Sequence, residues 1–170
     1  MILIVNTTND AAVSDRLQQV LSAQNKEFEI LEAAQMKIGN CIGCNNCWLK
    51  TPGECAVKDD QETILRKMVD SHQLWIVSGT SLGFVTPLAK NIVDRLIPLA
   101  TMYLKFSNKQ MRHVLRYDHG YDFGLIMQDG ESDADMDYLR RWADRVAINL
   151  DGKSRGVFAD TDIEEAVKCM

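Results

Sequence analysis

The sequence predicts a doubly wound α/β domain, a parallel sheet with helices on both faces. Three observations carry that expectation. Met1 to Val5 is an unbroken apolar run, the pattern of a strand buried on both faces. Comparable runs recur at Leu74 to Val77 and Phe123 to Met127. Between the runs, apolar residues repeat at helical spacing, and helical crossovers are what connect parallel strands.

Element by element, Val13, Leu17, Val20 and Leu21 mark a helix after the first strand, and Phe28 to Leu31 a second strand. Residues 35 to 58, with Gly39, Gly43, Pro52 and Gly53, form a loop too long to be a mere connection. Asp59 and Asp60 offer an N-cap to a helix carrying Ile64, Leu65, Met68 and Val69 on one face. Leu74 to Val77 is the third strand, Ser78 to Gly83 a turn-rich loop, and Pro87 to about Leu96 a helix striped by Leu88, Ile92 and Leu96. Pro98 kinks or ends that helix, and an irregular region follows. Phe123 to Met127 is strand four, Asp129 to Asp133 a loop, and Met136, Leu139, Ala143 and Val146 one helical face ending near Gly152. Gly156 to Ala159 is a fifth strand and Ile163 to Val167 a short last helix.

With 170 residues, 46% apolar and 25% charged, the chain has the balance of one folded domain, residues 1 to 170. A chain of this size buries ~70% of its unfolded surface, so the fold needs no disulfide or metal. The formal charge of −5, without any Lys/Arg block, argues against nucleic acid. The opening apolar run is too short for a signal peptide or a membrane span, and the expected location is the cytoplasm without a membrane partner. Five cysteines, four of them within fifteen positions, then argue for a reduced compartment and against a disulfide scaffold.

In a doubly wound sheet the ligand sits beyond the carboxyl ends of the strands at the switch point, which selects residues 6 to 10, 78 to 83 and 128 to 133. Thr7, Thr8 and Asn9 stand between a buried strand and a helix start, where backbone N–H groups bind phosphate. Plain capping by Asn9 or Asp10 is the equal alternative. Neither a phosphate-binding G-x-x-x-x-G-K-[ST] loop nor a G-x-G-x-x-G dinucleotide fingerprint is present. Thr80, Ser81 and Gly83 give a second loop small residues that let a flat ligand approach closely. His113, with Arg112 and Arg116, is either a contact for an anionic substrate or a solvated basic turn, and Trp48 either shields a redox site or anchors a loop.

Cys41, Cys44, Cys47 and Cys55 read C-x2-C-x2-C-x7-C. Thiols at such intervals converge on a polynuclear iron–sulfur centre more readily than on zinc, whose paired cysteines are set further apart. Half-buried thiols packing a long loop are the alternative. Cys169 stands apart from this set.

The stretch Cys41-Ile-Gly-Cys-Asn-Asn-Cys-Trp-Leu-Lys-Thr-Pro-Gly-Glu-Cys-Ala-Val-Lys-Asp-Asp60, followed by a strand, Ser78 and then Lys90-Asn-Ile-Val-Asp-Arg95, resembles the NAD(P)H-dependent FMN reductase and iron–sulfur flavoprotein group of the flavodoxin-like superfamily. The resemblance implies a five-stranded sheet of order 2-1-3-4-5. It also implies FMN on three loops: Thr7, Thr8 and Asn9 with Ser14 nearby, Thr80, Ser81, Leu82 and Gly83 under the ring, and Asp129, Gly130 and Glu131 as the third. Cys41, Cys44, Cys47 and Cys55 would hold a [4Fe–4S] cluster in the iron–sulfur members, and Lys90, Asp94 and Arg95 would tie the third helix to its neighbours. Asp10 stands where the group places an arginine, and the usual Ser-Pro-x-Tyr is here Ser78-Gly-Thr-Ser81.

The implied activity is hydride transfer from NAD(P)H to FMN and onward to a small acceptor such as a quinone or free flavin. The flavin would carry the chemistry, so no catalytic side chain is expected. An iron–sulfur electron carrier, and a binding protein that has lost tight FMN binding, are the alternatives. A homodimer or homotetramer is the implied assembly.

Overall fold

The structure, a computed structural model, describes residues 1–107, 109–128 and 132–170. In chain order its strands are β1 (Ile2–Asn6), β2 (Phe28–Glu32), β3 (Gln73–Ser78), β4 (Thr80–Ser81), β5 (Phe84–Val85), β6 (Ala100–Ser107), β7 (Gln110–Leu115), β8 (Asp122–Met127) and β9 (Ser154–Ala159). Its helices are α1 (Ala11–Ala23), α2 (Asn46–Leu49), α3 (Gln61–Val69), α4 (Pro87–Asp94), α5 (Asp133–Asn149) and α6 (Ile163–Cys169). The main sheet runs β2-β1-β3-β8-β9, parallel throughout. With the two small hairpins set aside, this is the expected order 2-1-3-4-5, and the fold is flavodoxin-like.

Alternate residues of each central strand feed opposite layers, because successive side chains point to opposite faces. Ile2, Ile4, Trp75, Val77 and Ile126 pack with Val13, Leu17 and Leu21 of α1 and Ile163, Ala166 and Val167 of α6. Leu3, Val5, Leu74, Ile76, Phe123 and Leu125 pack with α3, α4 and α5 through Ile64, Met68, Ile92, Leu139 and Ala143. Gly124 lies opposite Trp75 in the register, and a Cβ there would come within 2.4 Å of the indole, so the missing side chain is what admits the ring.

Several expectations need correction. Ala100–Ser107 and Gln110–Leu115 pair as a two-stranded antiparallel ribbon where an irregular region was expected. Its apolar residues, Met102, Tyr103, Leu104, Phe106 and Met111, are exposed and so leave no burial pattern in the sequence. The turn-rich loop after β3 folds into the β4–β5 hairpin, with both turn residues, Leu82 and Gly83, at positive φ, as a two-residue hairpin turn requires. The third helix stops at Asp94, and Pro98 sits in a 3-10 turn at residues 97 to 99. Asp60 does not cap α3; its carboxylate accepts from the Lys37 N–H, while Asp59 accepts from Gln61 N–H.

Thr86 is the N-cap of α4, its hydroxyl accepting from Ala89 N–H, with Pro87 at the first helical position. Thr86→Ala is expected to cost ~1 kcal/mol in a urea unfolding series. A wild-type midpoint would show that the Pro87 turn holds the helix start unaided. Among the described residues no helix is long and apolar enough to cross a membrane.

Candidate functional site

The first switch-point loop closes on itself through side chains. Asn6, fully buried, accepts through Oδ1 from Thr8 N–H (3.0 Å) and the Thr8 hydroxyl (2.7 Å), and its amide donates to Ser14 Oγ (2.9 Å) and Glu32 (3.0 Å). Ser14 is thus a buried partner of Asn6 beneath the loop. The Thr7 hydroxyl is also turned inward, donating to Val77 O at 2.8 Å. Asn9 lies on the rim, where its side chain accepts from Gln35 at 3.0 Å.

Asp10 resolves the choice between capping and phosphate binding in an unexpected way, because a carboxylate has two oxygens. Oδ1 caps α1 by accepting from Ala12 N–H at 2.9 Å, and Oδ2 reaches over the end of β3 to accept from Gln128 Nε2 at 2.8 Å. A helix N-terminus with its N–H groups favours an anion. Here the chain supplies that anion itself and bridges the loops after β1 and β8 with it.

The second loop is the β4–β5 hairpin. Ser78 Oγ accepts from Thr86 N–H at 3.0 Å, which closes the hairpin against the α4 cap. Thr80 is exposed, Ser81 and Gly83 are half-buried, and Leu82 at the tip is wholly exposed. This places a bare apolar surface beyond the end of β3, where a flat ring could rest. A Cβ at Gly83 would lie 2.6 Å from an Asp135 carboxylate oxygen at the start of α5. Asp129, Gly130 and Glu131 lie outside the described residues.

The cysteine loop is organised by Arg95, the residue after α4. Its side chain is 1% exposed and pairs with Asp59, 14% exposed, at 2.5 Å. The same guanidinium donates to Gly39 O (3.1 Å), Val57 O (3.0 Å) and Cys55 Sγ (3.4 Å). It therefore ties down both ends of the loop, a stronger role than tying one helix to its neighbours. Among the described residues Lys90 and Asp94 pair only with each other, one turn apart on the same helix.

Cys41, Cys44, Cys47 and Cys55 line one small cavity with Ile42, Val57 and Ile97. Cys47 is buried at the start of α2, and Cys41 and Cys44 are exposed. Burial pushes the Cys47 thiol up, and Cys55, Cys41 and Cys44 push it in the same direction. Among the described residues no group of three or more His, Cys, Asp or Glu is disposed to hold a metal ion. A four-iron cluster asks for one thiolate per iron around a cube, and Cys41, Cys44, Cys47 and Cys55 are the residues that would supply them. Trp48 anchors the loop by donating from its indole N–H to Ile97 O at 3.1 Å and stacks on His113 with ring centroids 4.6 Å apart. Arg116 donates to Pro98 O and Ala100 O, so it braces the ribbon's base.

No family model matches the chain. It is similar to an iron–sulfur flavoprotein of Methanocaldococcus jannaschii, 33% identical over 79 residues, which are 46% of this chain and 40% of that protein. An iron–sulfur flavoprotein of Archaeoglobus fulgidus is 25% identical over 179 aligned positions, 92% of this chain and 80% of the relative. Of a second Archaeoglobus fulgidus iron–sulfur flavoprotein, the chain spans 43%, less than half of its length. Among solved structures, RosB with a bound formylriboflavin phosphate intermediate superposes with a TM-score of 0.63 at 14% identity, over 93% of this chain and 63% of that one. General stress protein 14 of Treponema denticola, in complex with FMN, gives 0.55 at 13% identity, over 98% and 93%. The chain thus has the flavodoxin-like fold, and its sequence is similar to that of iron–sulfur flavoproteins.

Proposed function

We propose that the protein is a flavin-dependent oxidoreductase of the iron–sulfur flavoprotein type, taking electrons from NAD(P)H and passing them to a small acceptor such as a quinone or a free flavin. The observation that carries this reading is the convergence of Cys41, Cys44, Cys47 and Cys55 on one cavity, in a chain whose sequence relatives bear that name. Those four residues would hold a [4Fe–4S] cluster. The loops after β1, β3 and β8 would seat the flavin, which supplies hydride and single-electron chemistry when bound. The chain's own contribution is positioning: Arg95 orders the cysteine loop, Leu82 offers an apolar rest for the ring, and Asp10 bears on the phosphate end. The exposed apolar residues of the ribbon support assembly with a second copy as a homodimer or homotetramer.

A second reading, a binding protein that has lost tight FMN binding, is favoured by one observation, the Asp10 carboxylate across the switch point. A visible spectrum of anaerobically purified protein, before and after reconstitution with iron and sulfide, separates the two. The oxidoreductase shows flavin bands plus broad thiolate–iron absorption, and a Cys44→Ala/Cys47→Ala variant loses the iron while keeping the flavin. Iron uptake unchanged in that variant would remove the cluster from the proposal.

A further inference from the structure

Away from the switch point, the ribbon, the end of α4 and the last turns of α5 enclose a cavity of about 520 Å³, with Trp48, Arg112, His113, Trp142 and Arg145 in its wall. Helix α5 starts beyond the carboxyl end of β8 and advances ~1.5 Å per residue, so its Val146 end lies ~20 Å from the flavin loops. The volume is that of a small-molecule site, ~300–1,000 Å³. Nothing in the proposed activity uses it.

Two features define its occupant. The first is a set of fixed rings. Trp48 is held by its N–H and stacked on His113, and Trp142 is set edge-on against Phe84 and Phe123 at 5.0 and 5.7 Å. Rigid aromatic walls receive a flat ring at little ordering cost. The second is an excess of cations. Arg112 and Lys105 share one carboxylate, Asp151, at 3.3 and 2.5 Å, and Arg145 donates only to the neutral amide of Gln110 at 3.0 Å among the described residues. The acid in the wall, Asp94, is already paired with Lys90. Arg112 is 11% exposed, and its Nε is buried without a partner among the described residues.

We propose that this cavity binds a flat aromatic monoanion, its ring against Trp48 and Trp142 and its carboxylate or sulfonate against Arg145 and Arg112. The proposed site does not rest on the flavin or cluster readings: apart from Trp48, which anchors the cysteine loop, and Ile97, which also lines the cysteine cavity, its residues take part in neither.

The test is a titration of the full chain, with its tryptophans labelled with nitrogen-15, by 2-naphthoate and by the neutral 2-naphthamide. Trp75 serves as the internal reference, since its ring is buried in the core and its N–H is bonded to Gln73. The indole signals of Trp48 and Trp142 are expected to move saturably with naphthoate while that of Trp75 stays. Naphthamide should bind ~tenfold more weakly, having lost the charge-assisted hydrogen bonds. Arg145 is exposed, so Arg145→Gln should leave the fold intact, weaken naphthoate ~tenfold and leave naphthamide unchanged. Trp142→Leu should weaken both. Equal affinity for acid and amide, indifference to Arg145→Gln, or no saturable shift would each overturn the proposal, the last pointing to a macromolecular occupant such as a second copy.

Discussion

Replacing Asp10 by asparagine or arginine is expected to tighten FMN binding by about one to two decades at low salt, with a smaller gain at moderate salt. In the wild type, a phosphate arriving at the start of α1 meets a carboxylate that already accepts from Ala12 N–H and from Gln128. Two like charges ~6 Å apart repel by ~1–3 kcal/mol at an effective dielectric near 20, with water and the helix dipole sharing the screening. Asparagine keeps the cap, since its side-chain oxygen accepts as well as that of aspartate, and removes the charge. Riboflavin, which has no phosphate, provides the control: its affinity should be the same in wild type and variants. If neither variant gains for FMN, Asp10 does not face the phosphate and the anion position lies elsewhere. If neither flavin binds any form of the protein, the flavin reading itself fails.

The layered sheet was legible because its strands are nearly continuous apolar runs and its helices carry the 3.6-residue stripe, both direct consequences of burial on two faces. The β6–β7 ribbon was not. Its stretch Thr101 to Phe106 is rich in strand-forming residues, the one signal available, but strand propensity without burial carries little weight. The three-thiol spacing was visible in the chain. What brings Cys55 to the others was not, because it rests on Arg95, 40 positions away, and no periodicity links the two. The cavity beside the ribbon was likewise invisible, since Trp48, Arg112 and Trp142 meet only through tertiary packing. At the switch point the sequence left the side-chain directions open, and the structure turns the Thr7 hydroxyl inward and Asp10 across the loops.

The largest stability effect is expected at Arg95. Arg95→Met removes one partner of a buried ion pair and, among the described residues, leaves Asp59 with the N–H groups of Gly39 and Gln61 to stabilise its charge. Breaking such a pair costs ~3–5 kcal/mol, and the partial exposure of Asp59 puts this one toward the lower end. Asp59→Asn should cost a comparable amount, because it strands the guanidinium. The double variant should lose clearly less than the sum, since the two residues act as one unit. The pH dependence has a definite sign. Burial pushes the Asp59 carboxyl up, but Arg95 and the two N–H groups pull it down further, leaving it below its ordinary value. A group depressed in the folded state stabilises the protein above its unfolded value of ~3.9 and loses that contribution as pH falls through the folded one. The wild type should therefore lose stability below ~pH 4 with a steeper slope than either single variant. Arg95 also holds Gly39, Val57 and Cys55, so residues 39 to 58 should become sensitive to limited proteolysis in Arg95→Met before the sheet unfolds. A variant within ~1 kcal/mol of wild type, with an equally resistant loop, would show that the cysteine loop is held by its own packing rather than by the guanidinium.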